Sequence, residues 1–187
     1  MWFFEQLEGS SATYNIPAAF SVSGNLDINT LQKTLSEIVR RHEVLRTTFK
    51  TQDNEAVQVI HPEVTTNINV VDLQNYSKSE YQTLVQELAQ KEADTPFNLE
   101  VAPLIRCSLL KLDTTEYILL LTMHHIVSDG WSMGVLVKEI FTIYQSFSAA
   151  EPSPLAELPI QYGDFAIWQK QWLSGEVLDN QLNYWKQ

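Results

Sequence analysis

Two adjacent histidines close a nearly continuous apolar run, and an Asp-Gly pair follows: Met123-His124-His125-Ile126-Val127-Ser128-Asp129-Gly130-Trp131-Ser132. Histidine is the side chain most easily made into a proton acceptor near neutral pH. A carboxylate and a glycine turn beside it can fix its surroundings. The set suits acyl transfer to an amine or alcohol, in which a positioned base takes a proton from the incoming nucleophile. Neighbouring side chains of a strand point to opposite faces, so His124 and His125 cannot serve one site unless the strand ends between them. His125 shares parity with Leu121 and Met123, and His124 with Leu120 and Thr122. One imidazole is therefore expected to face a cavity and the other to be packed and hydrogen-bonded. The plainer alternative is that either ring is inert, because a histidine in an apolar run is usually structural. Asp-Gly marks many turns, and Asp129 can simply cap a following helix.

Two other chemistries fit less well. His-His-x-x-x-Asp lacks the i, i+4 histidine pair of a helical zinc site, and His42 and His61 are the only other histidines, so no metal ligand is assigned. Ser128 and Ser132 invite a triad with His125, yet neither lies in the G-x-S-x-G elbow that exposes a nucleophilic serine. Ser132 is read instead as a helix cap. A second polar cluster, Arg40-Arg41-His42-Glu43-Val44-Leu45-Arg46-Thr47-Thr48-Phe49, has the default reading of a solvated face. Arg46, however, sits among apolar residues, and a buried guanidinium left unpaired costs on the order of 3–5 kcal/mol. Asp129 is a candidate partner, which would make both residues props for the loop that carries the histidines.

The elements that must hold these residues follow from periodicity. Ile16–Val22 reads as a strand and 24–27 as a turn; Leu31, Leu35, Ile38 and Val39 then line one helical face. Val44–Lys50 and Ala56–Ile60 are β-type runs joined by the polar 51–55, a hairpin. Ser77-Lys78-Ser79-Glu80 is a capping box, with Tyr81, Leu84, Val85, Leu88 and Ala89 on one face behind it. Leu104–Leu112 and Tyr117–His125 form a second hairpin whose apolar residues do not alternate cleanly, so helices should cover both sides. Met133, Leu136, Val137, Ile140, Phe141 and Tyr144 give helical spacing over 131–147. Residues 149–159 hold three prolines and read as an exposed connection, and 160–187 as an aromatic-rich helical tail. The order predicts an α/β (α+β sandwich) fold, a mixed sheet with helices packed on it.

Composition narrows the function. With 12 Lys plus Arg against 23 Asp plus Glu the formal charge is −11, and no basic patch is visible that would track phosphates, which argues against nucleic acid. The single cysteine, Cys107, sits in an apolar run and reads as a small buried hydrophobe. One thiol allows no disulfide within the chain, in keeping with a cytoplasmic setting. The longest apolar stretch, Tyr117–Val127, is too short to cross a bilayer, and Met1-Trp2-Phe3-Phe4 lacks the flanks of a secretory signal.

Taken together the segments resemble the condensation domains of nonribosomal peptide synthetases, in the chloramphenicol-acetyltransferase-like superfamily. Trp2-Phe3-Phe4-Glu5-Gln6-Leu7 is similar to the end of the family's opening motif, and Arg41 to Phe49 to its second. Met123 to Ser132 is similar to its His-His-x-x-x-Asp-Gly signature, and Tyr162-Gly163-Asp164-Phe165-Ala166-Ile167-Trp168 to its fourth. Pro96-Phe97-Asn98-Leu99 and Pro103-Leu104-Ile105-Arg106 also sit where that family has them. The resemblance implies that His125 is catalytic and lies near the acceptor amine. It implies support from His124, Trp131 and Ser132, an Arg46–Asp129 pair, and a Gly130 that leaves room for substrate. It implies a peptide bond formed between a carrier-bound aminoacyl or peptidyl thioester and an aminoacyl thioester. Both substrates ride phosphopantetheine arms of donor and acceptor carrier domains, and no cofactor is bound directly. Asp-Gly-Trp-Ser resembles the subtype whose donor ends in an L-residue. Only the first of the family's two lobes is matched, so residues 1–187 are read as an N-terminal lobe with little or no activity alone. Its tail leads to the absent second lobe, and its exposed face is open to self-association. A non-catalytic carrier-binding module and a coenzyme A-dependent acyltransferase of the same superfamily are the alternatives. The Arg-His-Glu and Tyr-Gly-Asp-Phe-Ala-Ile-Trp segments argue against the second of these.

Overall fold

The computed structural model describes residues 1–9, 11–53 and 55–186, apart from the side chain of Glu8. Helix α1 (Trp2–Glu8) precedes strand β1 (Asn15–Ser23), and helix α2 (Ile28–Arg41) follows it. A short 3-10 turn (Glu43–Arg46) leads into β2 (Thr47–Gln52) and β3 (Glu55–Ile60). Then come β4 (Ile68–Asp72), α3 (Lys78–Asp94), β5 (Ile105–Lys111), β6 (Glu116–His124), α4 (Gly130–Ser148), α5 (Tyr162–Trp172) and α6 (Gly175–Trp185). β1, β6, β5 and β4 make one sheet in that order. β6 runs antiparallel to both neighbours and β4 parallel to β5, so the sheet is mixed, as the sequence predicts. β2 and β3 form a separate antiparallel ribbon, whose connecting residue Asn54 lies outside the described residues.

The sheet's two faces explain why β5 and β6 do not alternate. Leu109, Leu119, Leu121 and Met123 join Leu31, Leu35, Ile38, Val39, Leu136 and Ile143 in a core between the sheet and α2 and α4. Leu110 and Leu120 point the other way and meet Tyr81, Leu84, Val85, Leu88 and Ala89 of α3. β6 is thus an internal strand buried on both sides, and sheet and helices together shield it from water. The α3 face and its Ser77–Glu80 capping box match the periodicity reading.

Two elements escape that reading. β4 is five residues long with Asn69 and Asp72 within or ending it, too short and polar for the pattern to register. α1 is apolar except for Glu5, Gln6 and the terminal Glu8, and it is defined by what it packs on rather than by period. The strand-like reading of Val44–Lys50 needs a correction at its start. Val44, Leu45 and Arg46 lie in the 3-10 turn, where Leu45 N–H bonds the His42 carbonyl.

That turn joins a charged network linking the helical layer to the last third of the chain. Arg41 Nε lies 3.2 Å from Glu139 of α4, and the two side chains are only 7% and 12% exposed. His42 Nε2 is 2.7 Å from the same carboxylate. Arg41 also donates to the Ala156 carbonyl, and Gln161, at the start of α5, bridges the Arg41 carbonyl and the Glu43 N–H. Removing one member strands the other charge indoors, so Glu139→Ala is expected to destabilise the fold by about 3–5 kcal/mol. Urea denaturation checks this; a loss under about 1 kcal/mol, the scale of an exposed pair, contradicts the burial of the network.

Candidate active site

β6 ends at His124, and His125, Ile126 and Val127 form the turn that follows, so the strand does stop between the two histidines. Four hydrogen bonds define this turn. His125 N–H bonds the Tyr14 carbonyl at 2.7 Å, continuing the β1–β6 pairing by one residue. Val127 N–H bonds the His124 carbonyl at 3.0 Å, and Ile126 N–H reaches His124 Nδ1 at 3.0 Å. The His125 ring closes the loop with Nδ1 2.8 Å from the Ser128 carbonyl.

These contacts fix which nitrogen carries the proton in each ring. A carbonyl only accepts, so His125 bonds Ser128 as its Nδ1–H form, which leaves the Nε2 lone pair without a partner among the described residues. The ring is exposed, so that lone pair is reachable. His124 is the reverse. Its Nδ1 accepts from a backbone N–H, so its proton sits on Nε2, 2.9 Å from the Glu5 carboxylate. His124 is fully buried, with the Tyr14 and Phe97 rings 5.9 and 6.1 Å away. One imidazole is packed and committed to structure, and the other is offered to solvent.

Asp129 begins α4. Its Oδ1 accepts from Ser132 N–H at 2.8 Å and from Ser132 Oγ–H at 2.6 Å, satisfying a donor that a helix start leaves free. The Ser132 hydroxyl first, and its N–H second, hold the Asp129 carboxyl below the ordinary carboxylate range. The cap is therefore Asp129, and Ser132 is its third-position partner, correcting the reading of Ser132 as the cap. A Cβ built on Gly130 meets nothing within 4 Å, so the space beside the helix start is open. Trp131 is 85% exposed and, with Val135, flanks a hollow of about 170 Å³ reaching Leu45, Met123 and Val127.

The expected Arg46–Asp129 ion pair does not form. The Arg46 side chain is largely shielded from water, as anticipated, but its carboxylate is local: Nη2 lies 3.1 Å from Glu43, and the guanidinium also donates to the His61 carbonyl. A partner three residues away on the same turn satisfies the charge without a long-range contact, and Asp129 is already engaged by Ser132. Sequence reasoning also missed Glu5 and Glu139, which hold His124 and Arg41–His42. Glu5 lies 119 residues from its partner, and its one visible sign is an acid within an apolar run.

Burial pushes the His124 imidazole below the usual histidine value, against the opposing pull of the Glu5 hydrogen bond. The unfolded chain takes up a proton on this residue near pH 6.5, while the folded chain resists it. The unfolded state therefore holds more protons below that pH, and this residue's contribution to stability is lost as pH falls below about 6.5. Replacing His124 with glutamine is expected to flatten the fall in unfolding free energy between pH 7.5 and 5.5. An unchanged slope in urea titrations at the two pH values would show that His124 is not buried in its neutral form.

Among the described residues no helix is long and apolar enough to cross a membrane, and no three His, Cys, Asp or Glu side chains stand together as a metal set. Residues 1–187 match the family model of the condensation domain. One of the linear gramicidin synthase proteins of Brevibacillus parabrevis is 47% identical over 186 residues, which make up 100% of this chain and 4% of that protein. The X-domain from teicoplanin biosynthesis superposes with a TM-score of 0.86 at 25% identity, over 98% of this chain and 40% of its own. The starter condensation domain of rhizomide synthetase RzmA gives a TM-score of 0.86 at 20% identity, over 98% of this chain and 44% of its own, a likeness of fold. The chain thus spans under half of these solved chains and a few per cent of the synthase. With the match running from end to end and the fold shared, this chain belongs to the condensation-domain family.

Proposed function

We propose that this chain is the histidine-bearing, N-terminal lobe of a peptide-bond-forming condensation domain, and that His125 is its catalytic residue. The observation that carries the reading is the exposed His125 ring, whose Nδ1–H is tied to the Ser128 carbonyl while Nε2 has no partner among the described residues. The acceptor amine attacks the carbonyl carbon of the donor thioester, a C–N bond forms, and the C–S bond breaks to release the donor arm's thiolate. Nε2 can accept the amine's N–H, so it either takes the proton and passes it on to the departing thiolate or holds the amine in line while the proton moves to that thiolate. A base contributes about 10²–10⁴-fold, and orientation alone can match or exceed that.

Asp129 and Ser132 support the site by fixing the start of α4, Gly130 by leaving the approach open, and His124 by anchoring the turn. Trp131 contributes an exposed wall. Arg46 supports it indirectly, through the 3-10 turn rather than through Asp129. The donor is proposed to end in an L-residue, on the likeness of Asp129-Gly130-Trp131-Ser132 to that subtype. Both substrates are phosphopantetheine thioesters on carrier domains, and the enzyme works in the cytoplasm. Exposed Phe165, Trp168 and Trp172 on α5 and Tyr184 and Trp185 on α6 support docking of a second lobe on the tail, or self-association without it.

In the two-lobed domain, His125→Ala is expected to abolish condensation between two loaded carriers while leaving the unfolding transition in place. Wild-type turnover by that variant would remove His125 from its role. The lobe alone is expected to give little or no product in the same assay, because half the substrate tunnel and carrier surface belong to the other lobe. Product formed by the lobe as sole catalyst would overturn that.

A further inference from the structure

Helix α1 turns Trp2 toward the core but its other apolar side chains outward. Phe3, Phe4 and Leu7 are exposed, Leu7 at 67%, while its one acidic side chain outside the last position, Glu5, is 7% exposed and points into the protein. Turning a carboxylate inward and aromatic rings outward is unfavourable on burial grounds alone. It is offset where the acid meets a donor that no other group serves. That donor is the Nε2–H of His124, 2.9 Å away in a fully buried ring.

The consequences run through the turn. With Glu5 accepting at Nε2, His124 keeps its Nδ1 lone pair for the Ile126 N–H. That bond, with Val127 N–H on the His124 carbonyl, sets the turn carrying His125 and brings the Ser128 carbonyl to the His125 Nδ1. If His124 moved its proton to Nδ1, two donors would face each other at Ile126 and the turn would have to open. Glu5 therefore selects the form of one histidine that holds the other in its useful form.

We infer that Glu5 is a positioning residue: by accepting from His124 Nε2–H it fixes the 125–128 turn and thereby the Nδ1–H form of His125. The activity part of this inference rests on His125 being catalytic; the tautomer part does not.

The test uses ¹⁵N-histidine NMR on this chain and peptide-bond formation in the two-lobed domain. In the wild-type chain His124 is expected as the Nε2–H form and His125 as the Nδ1–H form; the opposite form at either ring overturns the inference without any variant having to fold. In Glu5→Leu the His125 signals are expected to move to an exchange-averaged mixture of forms. There kcat in the full domain is expected to fall by about 10- to 100-fold, the scale of a small misplacement, with KM for the loaded acceptor carrier little changed. Glu5→Gln keeps an acceptor oxygen at the same reach and is expected to restore both the signals and kcat to within about threefold of wild type, on the order of one neutral hydrogen bond's difference. Unchanged His125 signals in Glu5→Leu, or a Glu5→Gln variant no better than Glu5→Leu, would overturn it. If His125→Ala retains condensation while the histidine forms are as stated, the functional reading fails and the positioning of His125 by Glu5 stands.

Discussion

Five residues at the end of β6 hold two imidazoles in opposite hydrogen-bonding states, and the candidate site depends on that opposition. A neutral imidazole has one donor and one acceptor, so assigning either nitrogen fixes the other. His124 spends both on the protein, on Glu5 and the Ile126 N–H. His125 spends one, on the Ser128 carbonyl. The remaining lone pair is the site's chemical resource. It exists because the strand stops after His124 and because the turn offers a carbonyl, not a donor, to the second ring.

The scaffold makes this turn rigid from two directions. β6 is paired on both edges and covered on both faces, so its end is held by the sheet and by both helical layers. α4 starts immediately afterwards on the Asp129 cap, which fixes the chain's exit. The loop between is only a few residues long, with the N–H groups of His125, Ile126 and Val127 committed, and it has little freedom left to lose when a substrate arrives. Such prior ordering lowers the entropic cost of bringing reactants into line.

The buried charges are arranged differently from the expectation, for a physical reason. An ion pair indoors must recover a large desolvation cost, and it does so best with several hydrogen bonds to one centre. Glu139 receives both Arg41 and His42, and Arg41 also reaches the Ala156 carbonyl, so one carboxylate ties α2, α4 and the approach to α5 together. Arg46 needs only Glu43 on its own turn. The network therefore anchors the segment that leads to the aromatic helices α5 and α6, whose exposed rings give the surface its apolar character.

Much of this was legible in the residues. The apolar stripes of α2 and α3, the unbroken hydrophobicity of β5 and β6, and the two-residue parity of His124 and His125 follow from period alone, because burial on one face or two leaves a local imprint. The Asp-Gly before an amphipathic run likewise announces a helix start. The family is legible too, since its motifs are short, ordered and spaced by the fold. Tertiary structure decided what no local pattern can encode. Glu5 reaches His124 across 119 residues and Arg41 reaches Glu139 across 98, and nothing near either acid in the sequence names its partner. Long-range pairing of charges depends on which elements the chain brings side by side, and that is set by packing the apolar faces. Arg46 met its carboxylate locally, on Glu43 three residues away, but that packing decided which histidine was buried and which was left exposed.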